Sequence, residues 1–223
     1  MNVLIIYAHH DPASATAAMK NTAASVFTEL GHSVKESDLY GKGFQAAMQK
    51  WDFNTISTKN YDYHHEQQNA VGNDWSFAVD IVEQMQLLKE ADLVVFSFPL
   101  FWSSPPAILK GWFERVLSKG FAWSDYSHYE TGMLRKKQAL LLVETNEPKE
   151  AYAAEGLQKI SLTDTLWPVL HNTLGYCGMD VYEPFAIYSA SEMGDSVRSA
   201  ELQKLTEYIN SLWTNPRWYS RFS

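Results

Sequence analysis

Phe96–Trp123 reads FSFPLFWSSPPAILKGWFERVLSKGFAW, and the fold is decided by how this stretch is parsed. It opens on the tail of Leu93–Phe98, an apolar, β-branched run of the length of a buried strand. Pro99 ends that strand, Leu100, Phe101 and Trp102 fall in the turn, and Pro105-Pro106 open a helix, where a missing N–H costs least. The helix is expected from Pro106 to about Leu117, with Ile108, Leu109, Trp112, Phe113 and Val116 on its inner face. Large aromatics at the carboxyl end of a buried strand stand where open α/β sheets bind ligands. A flat apolar ligand and packing beneath a loop both account for them.

Working outward, Asn2–Ala8 (NVLIIYA) is too apolar to face water on either side and reads as a central parallel strand. A helix capped by Ser14 or Thr16 follows to about Leu30, and the N-terminus of such a helix is a natural anion site. Ser33–Leu39 alternates weakly and reads as the edge strand. Tyr40–Trp75 has little period and is expected to be a long loop with functional or interface roles. Within it, His64-His65-Glu66 reads as exposed and polar rather than as a metal site. Phe77–Ala91 has helical spacing, Gln138–Glu144 is the fourth strand, and Thr145–Pro148 is its exit turn. Ala151–Asp164 is weakly helical, and Pro168 starts a short helix. Met179–Ile187 is the fifth strand, Ser191–Trp213 a final helix, and residues 214–223 an irregular aromatic tail expected on the surface or on a partner subunit. Five alternations predict an α/β fold in one domain, residues 1–223. Its open five-stranded parallel sheet has order 2-1-3-4-5, with helices on both faces.

The composition excludes several classes. An apolar fraction of 46% with 20% charged residues is that of a globular chain, and no apolar run reaches the roughly 20 residues of a membrane span. Met1–Ala8 reads as a strand, not as part of a signal segment. A net charge of −8 argues against nucleic acid as partner. The lone Cys177 allows no internal disulfide, fits the cytoplasm, and reads as a packed thiol. The chain lacks GxGxxG, a P-loop and a GxSxG elbow, and also the acidic pair after strand one that a phosphoacceptor domain needs. The 14% aromatic content suits ring-stacking pockets and a two-fold subunit interface as well as a core.

The run FPLFWSSPPAILKGWFERVL, with LIIYAHHDP, ESDLY, LWPV, GYCGMDVYEP and the helix ending at Trp213, resembles the NAD(P)H:quinone oxidoreductases of the animal DT-diaphorase type over nearly the whole chain. The resemblance implies a flavodoxin-like fold, FAD rather than FMN, NAD(P)H as co-substrate and a homodimer. It implies two-electron (hydride) reduction of quinones or similar flat acceptors by a ping-pong mechanism. By position, it places His9 beside the FAD phosphates, Arg198 on the FAD, and Ala15-Thr16 where the family has a Phe-Asn pair at the adenine end. The turn of Leu100, Phe101, Trp102 and Ser103 offers backbone N–H groups to one edge of the flavin. At the other edge Thr145 is retained, while the two family glycines are Asn146 and Glu147. The catalytic pair is Tyr152 with Gln158, the latter where the family has histidine. Trp123 and Asp125 match two tyrosines that close over the partner's flavin, Met179 joins them in the substrate pocket, and Asp62 falls where a loop glutamine reaches FAD. These departures also leave room for a flavin-binding regulatory or ancillary redox-sensing subunit with low turnover.

Overall fold

The structure, a computed structural model, describes residues 1–56 and 60–214 and the backbone of 217–219. In chain order the strands are β1 (Asn2–Tyr7), β2 (Ser33–Asp38), β3 (Leu93–Pro99), β4 (Gln138–Glu144), β5 (Asp180–Tyr182), β6 (Phe185–Ile187) and β7 (Arg217–Tyr219). The helices are α1 (Ala15–Glu29), α2 (Tyr63–Gly72), α3 (Val79–Glu90), α4 (Ala107–Val116), the short α5 (Leu162–Thr165) and α6 (Trp167–Val169), and α7 (Asp195–Asn210). A π-helical turn, Leu170–Gly175, continues α6.

The sheet runs β2-β1-β3-β4-β5-β7, with β6 also paired to β4. The expected order is therefore present. Val3 pairs with Leu93 and Leu93 with Gln138, so three parallel strands lie in register at the centre. Alternation along them serves two cores. Val3, Ile5, Val95, Leu140 and Leu142 face α1 and α7, where Met19, Phe27, Leu205 and Ile209 meet them. Leu4, Ile6, Val94, Phe96 and Leu141 face the opposite side, against Ile81, Met85, Leu109 and Trp112. Both faces of β1, β3 and β4 are thus buried, as their unbroken apolar runs require.

Three expectations need correction. The fifth strand is interrupted at Glu183-Pro184, because proline has no N–H for the ladder, and it forms β5 and β6. The sheet is not purely parallel, since β7 adds antiparallel to β5; this strand belongs to the tail, whose residues 215–216 and 220–223 lie outside the described residues. The 40–75 segment is not an aperiodic loop. It contains α2, capped by the Asp62 carboxylate, which accepts from the His65 amide at 2.7 Å. Its residues 57–59 lie outside the described residues. His64, His65 and Glu66 are helical, and Glu66 is buried.

What pins this segment is a charge cluster under α4. Arg115 is fully buried and donates from Nε and Nη2 to Asp52 at 3.1 and 2.8 Å, from Nη1 to Asp80 at 2.6 Å and to the Gln45 carbonyl at 2.6 Å. Burial works against the guanidinium charge, but Asp52 and Asp80 outweigh it and hold its pKa above the ordinary value. The 46 region also lies directly on α4 at Gly111. A Cβ there would stand 2.0 Å from the Ala46 carbonyl oxygen.

Candidate functional site

The carboxyl ends of β1, β3, β4 and β6 converge on one edge of the sheet. After β3, the Phe101 amide donates to Ser104 O at 2.9 Å and the Ser104 amide returns to Phe101 O at 3.0 Å. Trp102 and Ser103 close this two-residue turn with φ of +50° and +56°. Non-glycine residues in that region cost on the order of 1–3 kcal/mol each, and such strain clusters at ligand sites. Trp102 is 100% exposed and Phe101 42%. A tryptophan held fully in water by a strained turn stabilises nothing in this chain.

The turn after β4 lies alongside. The Leu100 amide extends the ladder to Glu144 O at 2.8 Å, and the Thr145 amide donates to Ile187 O at 2.9 Å. Ser189 and Ala190 amides donate back to Glu147 O and Thr145 O, which zips this turn to the one after β6. Tyr152 follows, 5.9 Å from Tyr188 between ring centroids. Its phenol pKa is raised, chiefly by burial; a hydrogen bond with the Thr145 side chain opposes the shift and the Glu147 carboxylate adds to it. Gln158, half-buried, donates its amide to Ala151 O at 2.9 Å and so sits in the same folded turn as Tyr152. A cavity of about 570 Å³ lies between Lys149, β6 and the start of α7, lined by Phe185, Tyr188, Met193 and Val197.

The other end of the edge is formed by the β1–α1 connection. His9 Nδ1 lies 2.9 Å from the Asp11 amide, and its ring stacks on His10. Ser14 caps α1, its Oγ accepting from the Ala17 amide at 3.1 Å. Glu144 reaches across from β4 and takes both the Thr16 amide, at 2.6 Å, and the Thr16 hydroxyl, at 2.5 Å.

A model of the flavodoxin-like fold matches residues 1–211. The chain belongs to the flavodoxin-like family. It is 34% identical over 226 residues to the ribosyldihydronicotinamide dehydrogenase [quinone] of Pongo abelii, covering 98% of this chain and 97% of that protein. It is also 34% identical over 218 residues to NAD(P)H dehydrogenase [quinone] 1 of Rattus norvegicus, covering 97% and 79%. A Klebsiella pneumoniae structure described as a candidate quinone reductase superposes with a TM-score of 0.91 at 32% identity, covering 97% and 86% of the two chains. The chain is thus homologous to the quinone oxidoreductases of the DT-diaphorase type.

On this flavodoxin-like frame the structure gathers Leu100–Ser103, Thr145–Glu147, Tyr152 and Gln158 along one stretch of the sheet edge. His9, Ala15 and Thr16 stand at the β1–α1 end, joined to the rest through Glu144. Several expected contacts change. The Phe101 amide is engaged by Ser104, so the amides of this turn without an acceptor among the described residues are those of Trp102 and Ser103. Thr145 is buried with its amide on Ile187 O and its hydroxyl on Glu147 O at 2.7 Å, and the Asn146 and Glu147 amides have no acceptor among the described residues. Ala15 packs into the core, and Thr16 is buried with both donors on Glu144. Met179 is fully buried in the main core and does not line an open pocket. Asp62 caps α2 instead of reaching across the site.

Trp123 and Asp125 are not brought to the Trp102 turn within one chain. Trp123 donates from Nε1 to Leu117 O at 3.0 Å and packs on His64 and Tyr176, beside a cavity of about 150 Å³. Asp125 pairs with Lys119 at 2.6 Å. Arg198 lies in the first turn of α7 with its Nε buried and without a partner among the described residues. Glu144 is the site residue that sequence reasoning missed. It is half-buried at the end of β4, and no local pattern in the sequence marks its contact with Thr16, 128 residues away.

Proposed function

We propose that the chain is a flavin-dependent NAD(P)H oxidoreductase that reduces quinones or similar flat acceptors by two electrons, with FAD as the cofactor. The observation that carries this reading is the strained Phe101–Ser104 turn, which holds Trp102 fully exposed at the carboxyl end of β3. Chain-long similarity to two quinone dehydrogenases supports it.

The residues at the ring end fit a flavin. Trp102 and Phe101 supply an apolar wall, and the amides of Trp102 and Ser103 donate along one edge. The Asn146 and Glu147 amides lie on the neighbouring turn. The Arg198 Nε, buried and unsatisfied, suits an acceptor on the cofactor. When bound, the flavin would take two electrons from a nicotinamide and pass them to the acceptor at one shared face. Tyr152 contributes a neutral hydroxyl donor, as an ordinary tyrosine does at neutral pH, and burial shifts its pKa further upward. Gln158 contributes an amide donor that cannot become a cation, so it stabilises developing negative charge less than histidine would. Homodimerisation would place Trp123 and Asp125 over the partner's site, as lid and acidic rim.

Purified protein titrated with FAD and FMN tests the cofactor assignment. Saturable binding with preference for FAD is expected; equal affinity, stronger FMN binding or binding of neither would overturn the assignment. A second reading, an ancillary redox-sensing subunit with low turnover, is favoured by Gln158 and by the carboxylates of Glu144 and Glu147 at the site. Bound flavin with negligible steady-state NAD(P)H oxidation would select it.

A further inference from the structure

The N-terminus of α1 is already supplied with an anion. The Ala17 amide is taken by Ser14 Oγ, the Ala18 amide by Ser14 O at 3.1 Å, and the Thr16 amide by Glu144. Only the Ala15 amide of this first turn has no acceptor among the described residues. Glu144 reaches this point for a simple reason. Side chains alternate along β4, and Leu140, Leu142 and Glu144 share the face that α1 covers. Thr16 cannot turn away, being fully buried with its carbonyl accepting from Ser97 Oγ at 3.1 Å.

The surroundings are acidic as well. Asp38, Asp11 and Glu144 all act on the Tyr7 hydroxyl, adding to burial in raising its pKa, while a side-chain hydrogen bond with Ser14 opposes them. Lys20 lies 5.8 Å from the Tyr7 ring centroid, but its Nζ is paired with Glu36 at 2.6 Å. A phosphate arriving at this helix end would need the Thr16 donors and would meet a carboxylate at contact distance. The ring end of the site fits a flavin; the phosphate end, as it stands, does not.

We infer that Glu144 is a built-in competitor for the cofactor's phosphate and sets how strongly the protein distinguishes FMN and FAD from phosphate-free riboflavin. This rests on the flavin reading proposed above. The carboxylate must leave Thr16 before a phosphate seats, so part of the affinity a phosphate would contribute is lost in displacing it. The ring contacts are common to all three flavins and are untouched by Glu144.

The test is calorimetric titration of apoprotein with riboflavin, FMN and FAD, for the wild type, Glu144→Gln and Glu144→Thr. The near-isosteric glutamine removes the charge, and threonine removes the reach. Both variants should bind FMN and FAD at least about tenfold more tightly than wild type, with riboflavin changed by less than about twofold. Equal shifts for all three flavins, or none, would overturn the inference. The wild type alone gives an independent arm: a preference for FMN over riboflavin above about a hundredfold would also overturn it, whether or not the variants fold. If no flavin, riboflavin included, binds any of the three proteins, the flavin reading itself fails.

Discussion

Replacing Asp52 with alanine removes a fully buried carboxylate that several groups converge on. Arg115 donates to it from Nε and Nη2 at 3.1 and 2.8 Å, the Tyr63 hydroxyl at 2.6 Å and the Gln49 amide at 3.1 Å. Removing one partner of a buried pair costs about 3–5 kcal/mol, because the remaining charge stays desolvated. Arg115 would keep Asp80, at 2.6 Å and on a side chain 34% exposed, and the Gln45 carbonyl, so the lower half of that range is expected. For a domain of this size, a loss of about 3–4 kcal/mol lowers Tm by about 6–16 °C. Urea and thermal unfolding of Asp52→Ala measure both quantities. The surface pair Lys110–Glu114 is the control, with Glu114→Ala expected within about 0.5 kcal/mol of wild type. The same cluster has an alkaline signature. Burial, then the bond to Asp52 and its charge, push the Tyr63 pKa far above the ordinary tyrosine range. A folded value raised above the unfolded one, about 10, stabilises fully below that pH and loses this stabilisation as pH rises beyond it. Tyr63→Phe should therefore flatten the alkaline limb of the stability profile. Asp52→Ala within about 1 kcal/mol of wild type would refute the view that this cluster anchors residues 45–52 to α4.

Gly111→Ala would drive a methyl into the Ala46 backbone, 2.0 Å from its carbonyl oxygen, and should destabilise by about 1–3 kcal/mol in the same unfolding assay. Burial pushes the Cys177 thiol up to about 12, so the native protein should resist thiol reagents that label it readily once unfolded. By the same sign rule its contribution is lost as pH rises from about 9 towards the folded value, at about 1.4 kcal/mol per unit, and Cys177→Ala should remove that slope. Gln158→His should speed stopped-flow reduction of protein-bound flavin by NAD(P)H, by up to about a hundredfold; an unchanged rate would mean that this side chain does not face the ring.

The parts of the fold legible in the sequence were those whose local pattern and tertiary role coincide. β1, β3 and β4 are buried on both faces and appear as unbroken apolar runs, and the apolar run Gln138–Glu144 coincides with β4 at both ends. Ser14 was legible as the α1 cap because that role needs only a hydroxyl before a helical run. α2 was hidden for the opposite reason. Its buried residues are Glu66, Gln67 and Ala70, and Gln67 docks it by donating to Glu114 O at 3.0 Å, so no apolar stripe announces it. Asp62, followed by Glu66 in the first turn, is a helix-start signal that this segment carries in its sequence. The break in the fifth strand was written in Pro184, which an apolar count over Met179–Ile187 passes over. At the site, the exposed Trp102 turn follows from its position after a buried strand. The Glu144–Thr16 contact joins residues 128 apart in sequence, and no local pattern contains it.

The edge holding Trp102, Tyr152 and Gln158 is proposed to carry two electrons from a nicotinamide to a quinone. Protein saturated with FAD and mixed anaerobically with NADH or NADPH, then with a soluble quinone, tests it in two half-reactions followed by visible absorbance. Stoichiometric bleaching of the flavin by the nicotinamide is expected, with its full return on adding one equivalent of quinone. Flavin that binds but is not bleached, or is bleached and not restored by quinone, would contradict it.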